Sequence, residues 1–215
     1  MLRWPPGDAK VAGDVPQRGL WCGSEENIWK LCEHVKHSSP HLLPHCFPVF
    51  ISNPREMVTG AVLGGNQGDG NWGSVGGSTR EMFPQYERSC WQDYHVILVY
   101  HSPQEALVYD LDTELSFPSP LSHYCRAALR NNLKPQFHRW FRVIPAEVFL
   151  STFASDRSRM KSPDGTWLKP PPPYPCLSTP ESTNNLEDFI SMDPGRGPGQ
   201  VLSQDGLMRR FSSST

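Results

Sequence analysis

The sequence predicts an α+β fold in which an antiparallel sheet is flanked by helices. Three observations carry this expectation: an amphipathic helical stripe that begins near residue 24, two β-rich runs joined by a turn at 102–105, and short helical patterns downstream. A chain of 215 residues is long enough for one domain with a real core. Hydrophobic residues make up 37% of it and prolines number 22, roughly twice the ordinary share of about 5%. Part of the chain is therefore expected to be loop.

Residues 1–19 are rich in proline, glycine and charge without periodicity, and read as a flexible tail before a single domain at 20–211. Ser24 suits a helix N-cap, and Glu25 and Glu26 fall in the first turn, where the helix dipole favours anions. Ile28, Leu31, Cys32 and Val35 form one apolar stripe, which should end before Pro40. Residues 47–52 read as a short strand. Residues 60–80 hold eight glycines and no apolar period, so the stretch at about 59–90 reads as a Gly-rich insertion or replacement.

From residue 93 the pattern sharpens. Residues 94–100 and 107–111 are apolar, aromatic and β-branched, and Ser102-Pro103-Gln104-Glu105 suits a turn between them. A hairpin centred there pairs residues whose numbers sum to about 207. That register sets His95 opposite Asp112 and Ile97 opposite Asp110, and puts His95, Asp110 and Asp112 on one face. Further on, 121–131 reads as helix, 141–144 as strand, 145–153 as helix with proline in its first turn, and 163–165 as a turn. Residues 170–173 should be extended polyproline II, with short elements near 186–192 and before Phe211.

Charge and patterning exclude several classes of function. A net charge of −2 lacks the Lys and Arg surplus that a nucleic-acid binder uses to displace counterions. No apolar run approaches the roughly 18 residues of a membrane span. The N-terminal residues have no apolar signal-peptide core, and six scattered cysteines without glycosylation sequons fit reduced thiols in the cytosol. Gly68-Asp69-Gly70-Asn71-Trp72-Gly73 spells a dinucleotide fingerprint, but no helix follows it to receive a pyrophosphate. His34, His37, His41 and His45 could be zinc ligands by spacing; Pro40 and Pro44 break the face, and exposed helix-end histidines are the better reading.

One constellation remains. A residue that opens a helix, Ser24, joins His95 and Asp110 from neighbouring strands. That is the layout of a papain-like thiol hydrolase, with a nucleophile at a helix N-terminus, an imidazole base and a carboxylate orienting it. Taken singly, each residue also has a plain reading: Ser24 as a cap, His95 as a strand residue, Asp110 as an acid near a turn.

Several segments, in one order, resemble the protein N-terminal glutamine amidohydrolases. They are Glu-Glu-Asn-Ile-Trp-Lys-Leu-Cys at 25–32, Val-Phe-Ile-Ser-Asn at 49–53, Asp-Tyr-His-Val at 93–96 and Tyr-Asp-Leu-Asp-Thr at 109–113. Phe-Arg-Val-Ile-Pro-Ala at 141–146, Phe-Ala-Ser-Asp-Arg at 153–157, Pro-Pro-Pro-Pro-Tyr-Pro-Cys at 170–176 and Asp-Phe-Ile-Ser-Met-Asp at 188–193 continue the likeness, which spans 20–58 and 91–211. The resemblance implies a papain-like fold, a histidine at His95 and an aspartate at Asp110. The family's Cys-x-Cys-Glu-Glu-Asn motif, whose second cysteine is the nucleophile, reads here Cys22-Gly23-Ser24-Glu25-Glu26-Asn27. Cys22 matches the first, non-catalytic cysteine and Ser24 stands at the nucleophile position. A protease or transglutaminase using Cys22 is the weaker reading, because Cys22 precedes the helix. Two further departures are an extra residue in Trp91-Gln92-Asp93-Tyr94-His95 and the Gly-rich 59–90 itself.

What the resemblance implies is deamidation of N-terminal glutamine to glutamate with release of ammonia, impaired by Ser24. The alternative is a catalytically inactive homologue that binds N-terminal glutamine or serves as a scaffold. The expected partners are proteins and peptides that begin with glutamine, feeding an N-degron pathway. No metal, organic cofactor, nucleic acid or membrane is expected, and the chain is read as a monomer of the cytoplasm, with the nucleus a second location.

Overall fold

The computed structural model describes residues 23–53, 58–59, 91–92, 94–113, 115–129, 138–168 and 170–212. The N-terminal tail, Cys22, the fingerprint-like 68–73 and nearly all of the Gly-rich 59–90 lie outside the described residues.

The first helix, α1, runs Ser24–Ser38 and buries Ile28, Leu31, Cys32 and Val35, the stripe that its sequence predicts. It starts one residue earlier than a Ser24 cap requires. Gly23, extended at φ −143° and ψ 91°, holds the cap position, and Ser24 is the first helical residue with its hydroxyl turned elsewhere. The helix stops where Ser39 N–H closes on the Val35 carbonyl, because Pro40 disfavours helical backbone just before it and opens a 3₁₀ turn, Pro40–His45.

The sheet follows from strands β1 (Cys46–Ser52), β4 (His95–His101), β5 (Ala106–Tyr109), β6 (Ser119–Pro120), β7 (Trp140–Val143) and β8 (Gln200–Leu202), in the order β6-β5-β4-β1-β7-β8. Every neighbouring pair is antiparallel. A separate two-stranded pair, β2 (Val58–Thr59) with β3 (Trp91–Gln92), joins the two ends of the Gly-rich stretch. The hairpin register is the predicted one: Leu98↔Tyr109, Val99↔Val108, Tyr100↔Leu107 and His101↔Ala106 all sum to 207. The ladder is shorter than predicted. It ends at Leu98↔Tyr109, and the chain turns at Asp110, so the expected pairs of Ile97 with Asp110 and His95 with Asp112 fall beyond it.

Period two along β4 sends its residues to two cores. Val96, Leu98 and Tyr100 join Phe50, Leu107 and Tyr109 under α1, α3 (Ala146–Thr152) and α4 (Leu186–Ile190). Ile97 and Val99 join Val49, Ile51, Val108 and Phe141 under α2 (Leu121–Ala128) and α5 (Gln204–Arg210). With both faces covered, β1 and β4 are buried almost throughout and read as continuous apolar runs, unlike a sheet with one wet face. Arg142 on β7 is fully buried, yet its guanidinium is satisfied by the carbonyls of Ser191, Asp193 and Pro198, which ties the 191–198 loop to the sheet. Gly197 makes that loop possible at φ +70°; a Cβ there would stand 2.0 Å from the Asp188 carbonyl oxygen. Among the described residues no helix is long and apolar enough to cross a membrane.

Candidate active site

The site forms where β5 leaves the sheet. Because the β4–β5 ladder stops at Leu98, the N–H of Val96 has no strand partner on that side, and a buried N–H needs an acceptor. Ser24 supplies it: its Oγ accepts from Val96 N–H at 3.1 Å. The first residue of α1 is thereby fixed against the residue that follows His95. Ser24 is half-buried, whereas His95 and Asp110 are 3% and 1% exposed.

At the same end of the sheet, His95 Nε2 lies 3.0 Å from Asp110 Oδ1. The contact is close but not an aligned hydrogen bond, so its strength is mainly charge attraction in a poorly solvated place. His95 Nδ1 is buried with no hydrogen-bond partner among the described residues. Ser24 and His95 are thus near neighbours without a direct hydrogen bond.

The carboxylate is held from three sides. Besides His95, Asp110 Oδ2 accepts from the Tyr124 hydroxyl at 2.8 Å, and Oδ1 accepts from Asp112 N–H at 3.0 Å in a tight turn that Thr113 N–H closes on the Asp110 carbonyl. Burial opposes the charge on Asp110, but His95, Tyr124 and the Asp112 N–H together outweigh it and hold the carboxyl below its usual range. Burial likewise opposes the imidazolium of His95. The charge and contact of Asp110, with the charge of Asp112, overcome that and raise His95 above its ordinary value. One donor atom each from His95, Asp110 and Asp112 lies within 4.8 Å of the others, a spacing a cation could use. The arrangement equally suits two acids holding one imidazole charged.

The structure brings His95 and Asp110 together as the hairpin register predicts, and sets Ser24 beside them. Sequence reasoning missed Tyr124. Its only local signal is the stripe Leu121, Tyr124, Cys125 and Ala128, which marks it as inward-facing but says nothing of Asp110.

Replacing Tyr124 with Phe is expected to leave Asp110 Oδ2 buried and short of a partner. The loss should be about 1.5–3 kcal/mol, the usual range for a hydrogen bond to a charged group. Asp110 is depressed in the fold, so its contribution is present above the unfolded carboxylate value of about 3.9 and lost as pH falls through the folded one. His95 is raised, so its share is complete below about 6.5 and lost as pH climbs through its folded value. Both describe one interaction, which should be fullest between roughly pH 4 and 6.5. Thermal unfolding across pH should show Tyr124→Phe shifting the acid limb to higher pH. An unshifted limb would mean that the hydroxyl does not support the carboxylate.

A buried imidazole–carboxylate pair beside a helix N-terminus defines a class of hydrolytic sites. The chain belongs to the N-terminal glutamine amidase family, whose model matches residues 19–62 and 80–211 and leaves 63–79, within the Gly-rich stretch, unmatched. It is 43% identical over 212 residues to the protein N-terminal glutamine amidohydrolase of Bos taurus, covering 97% of this chain and 90% of the relative. The Homo sapiens protein of the same name is 42% identical, with 97% and 91% covered. The Danio rerio one is 44% identical over 193 residues, with 88% and 87% covered.

Proposed function

We propose that this chain binds the N-terminal glutamine of proteins and peptides and hydrolyses its side-chain amide to glutamate, slowly because Ser24 holds the nucleophile position. The observation that carries this reading is the convergence of Ser24, His95 and Asp110 at one end of the sheet, in a chain of that family.

In this reading Ser24 Oγ attacks the amide carbon while its proton passes to His95 Nδ1, the ring nitrogen left without a partner. N–H groups at the start of α1 stabilise the oxyanion. The imidazolium then gives its proton to the departing nitrogen, ammonia leaves, and an ester remains on Ser24. Water attacks the ester and loses a proton to the same imidazole; glutamate departs and the hydroxyl is restored. Asp110 and Tyr124 keep the ring oriented throughout. The chain is further proposed to act as a monomer in the cytoplasm and nucleus, in a papain-like fold, with no metal or organic cofactor.

One observation favours a second reading, a binding protein without turnover: Ser24 Oγ accepts from Val96 N–H and has no hydrogen bond to His95. Calorimetric titration with two peptides that differ only in a first-residue glutamine or glutamate, with ammonia release followed in parallel, tests both. Under either reading glutamine should bind at least about tenfold tighter, a difference near 1.4 kcal/mol. Slow ammonia release supports the enzyme reading. If neither peptide binds, or both bind equally, both readings fail.

A further inference from the structure

Glu25 and Glu26 are neighbours in the first turn of α1 and both are buried, at 5% and 3% exposure, yet their surroundings differ. Glu26 is fully occupied by the Arg157 guanidinium through two hydrogen bonds of 2.8 Å. Glu25 has no ion-pair partner among the described residues, and its Oε2 is buried without a hydrogen bond. A buried carboxylate lacking a counter-charge is costly, and burial indeed pushes Glu25 up to about 7, against a hydrogen bond from Tyr94 and the more distant charge of Arg159. Arg159 is itself engaged with Glu187. Such a group asks for a reason.

Its position supplies one. The side chain folds back toward the helix entrance, so that Oε1 lies 3.3 Å from where a Cβ on Gly23 would stand. Gly23 precedes Ser24, and Tyr94, which bonds the carboxyl, precedes His95. The acid therefore lies against Gly23 and Tyr94, the residues that precede Ser24 and His95, and both Ser24 and Tyr94 are half-buried. Resting on the proposed reading, the ligand carries a feature that the Ser24–His95–Asp110 set does not address: the free α-ammonium that distinguishes a first-residue glutamine from an internal one. A buried, unpartnered carboxylate in the first turn that Ser24 opens is complementary in charge to that ammonium.

We propose that Glu25 is the specificity residue of this site: its carboxylate, through the unpartnered Oε2, binds the α-ammonium of the N-terminal glutamine. The ammonium is the missing counter-charge of a buried acid, and the buried acid is what makes an uncharged first residue a poor ligand.

The test is calorimetric titration at pH 7.5 of the full chain and its Glu25→Gln variant. The probes are a peptide that begins with glutamine and the same peptide lacking only the α-amino group. The unaltered chain should prefer the amine-bearing peptide at least tenfold. In Glu25→Gln that preference should fall below about threefold while affinity for the desamino peptide is unchanged, which also shows an intact fold. Glu25→Asp, which keeps the charge, should retain part of the preference. If Glu25→Gln keeps the full preference, or loses both peptides equally, the assignment is overturned while the proposed function stands. If the unaltered chain binds the two peptides equally, the assignment is likewise wrong. If it binds neither, the proposed function and the assignment fall together.

Discussion

Ser24→Cys is expected to raise deamidation of glutamine-initiated peptides by on the order of 10³-fold or more, the scale on which a defective nucleophile costs a hydrolase. The reason lies in the state of His95. Asp110 and Asp112 overcome burial and raise its basicity, so the imidazolium is favoured over that of a free ring. For a thiol, with a free pKa of about 8.5 and placed at the start of α1 where the helix dipole favours an anion, that is the helpful state: thiolate and imidazolium form a stable pair before substrate arrives. A serine hydroxyl is far less acidic. It needs a neutral imidazole to take its proton during attack, and the same acids that stabilise the imidazolium withhold that form. The hydroxyl is also occupied as an acceptor for Val96 N–H and is not bonded to the ring. Two measurements separate this account from a general defect. Peptide affinity should be nearly equal in the two proteins, because the substitution alters the reacting atom and little else. The rate of the serine protein should rise with pH through the folded value of His95, where the neutral ring appears, whereas the cysteine variant should already be active below it. Equal rates in the two proteins would show that the nucleophile is not residue 24.

The parts of this site legible in the sequence are those fixed by short-range geometry. The register sum of 207 follows from one turn at 102–105 and the β-rich runs beside it, and it brings His95 and Asp110 to the same end of the hairpin. The α1 stripe follows from helical spacing alone. Ser24 marks the boundary of such reasoning. Serine is a favoured cap, but the cap falls to Gly23, because the hydroxyl is claimed by Val96 N–H, a group 72 residues away left open by the end of a ladder. No local rule carries that information. Nor does any local rule place β1 between β4 and β7, pair Tyr124 with Asp110, or join Arg157 to Glu26 across 131 residues. In each case the partner is chosen by which buried group would otherwise lack a bond, and that is settled only once the elements have packed.

Arg157→Ala is expected to cost about 3–5 kcal/mol, the usual penalty for removing one member of a buried ion pair. The residue is 5% exposed and adopts left-handed backbone at φ +59°, uncommon outside glycine, so the fold accepts local strain to aim this side chain inward. What it reaches explains why. Nε and Nη2 donate to the two oxygens of Glu26, Nη1 to the Tyr174 carbonyl at 2.9 Å and Nη2 to that of Pro175 at 3.3 Å, while the guanidinium stands 4.9 Å over the Tyr174 ring. The segment 170–176 is four prolines followed by Tyr-Pro-Cys; prolines have no N–H to donate, so this stretch is pinned largely through its carbonyls, and an arginine offers enough donors to do it. One cation therefore fastens the polyproline segment to the first turn of the helix that carries Ser24. Alanine would leave the Glu26 carboxylate buried and unpaired and those carbonyls without a donor. Arg157→Lys, with its charge on one nitrogen, should fall between the two. The stranded acid has a signature of its own. Placing Arg157→Ala in a Glu26→Gln background should recover a large part of the loss, because no charge is then stranded. A single-variant cost under about 1 kcal/mol, or a loss indifferent to Glu26→Gln, would mean that the segment is held by its apolar contacts and that the guanidinium is incidental to the geometry of the site.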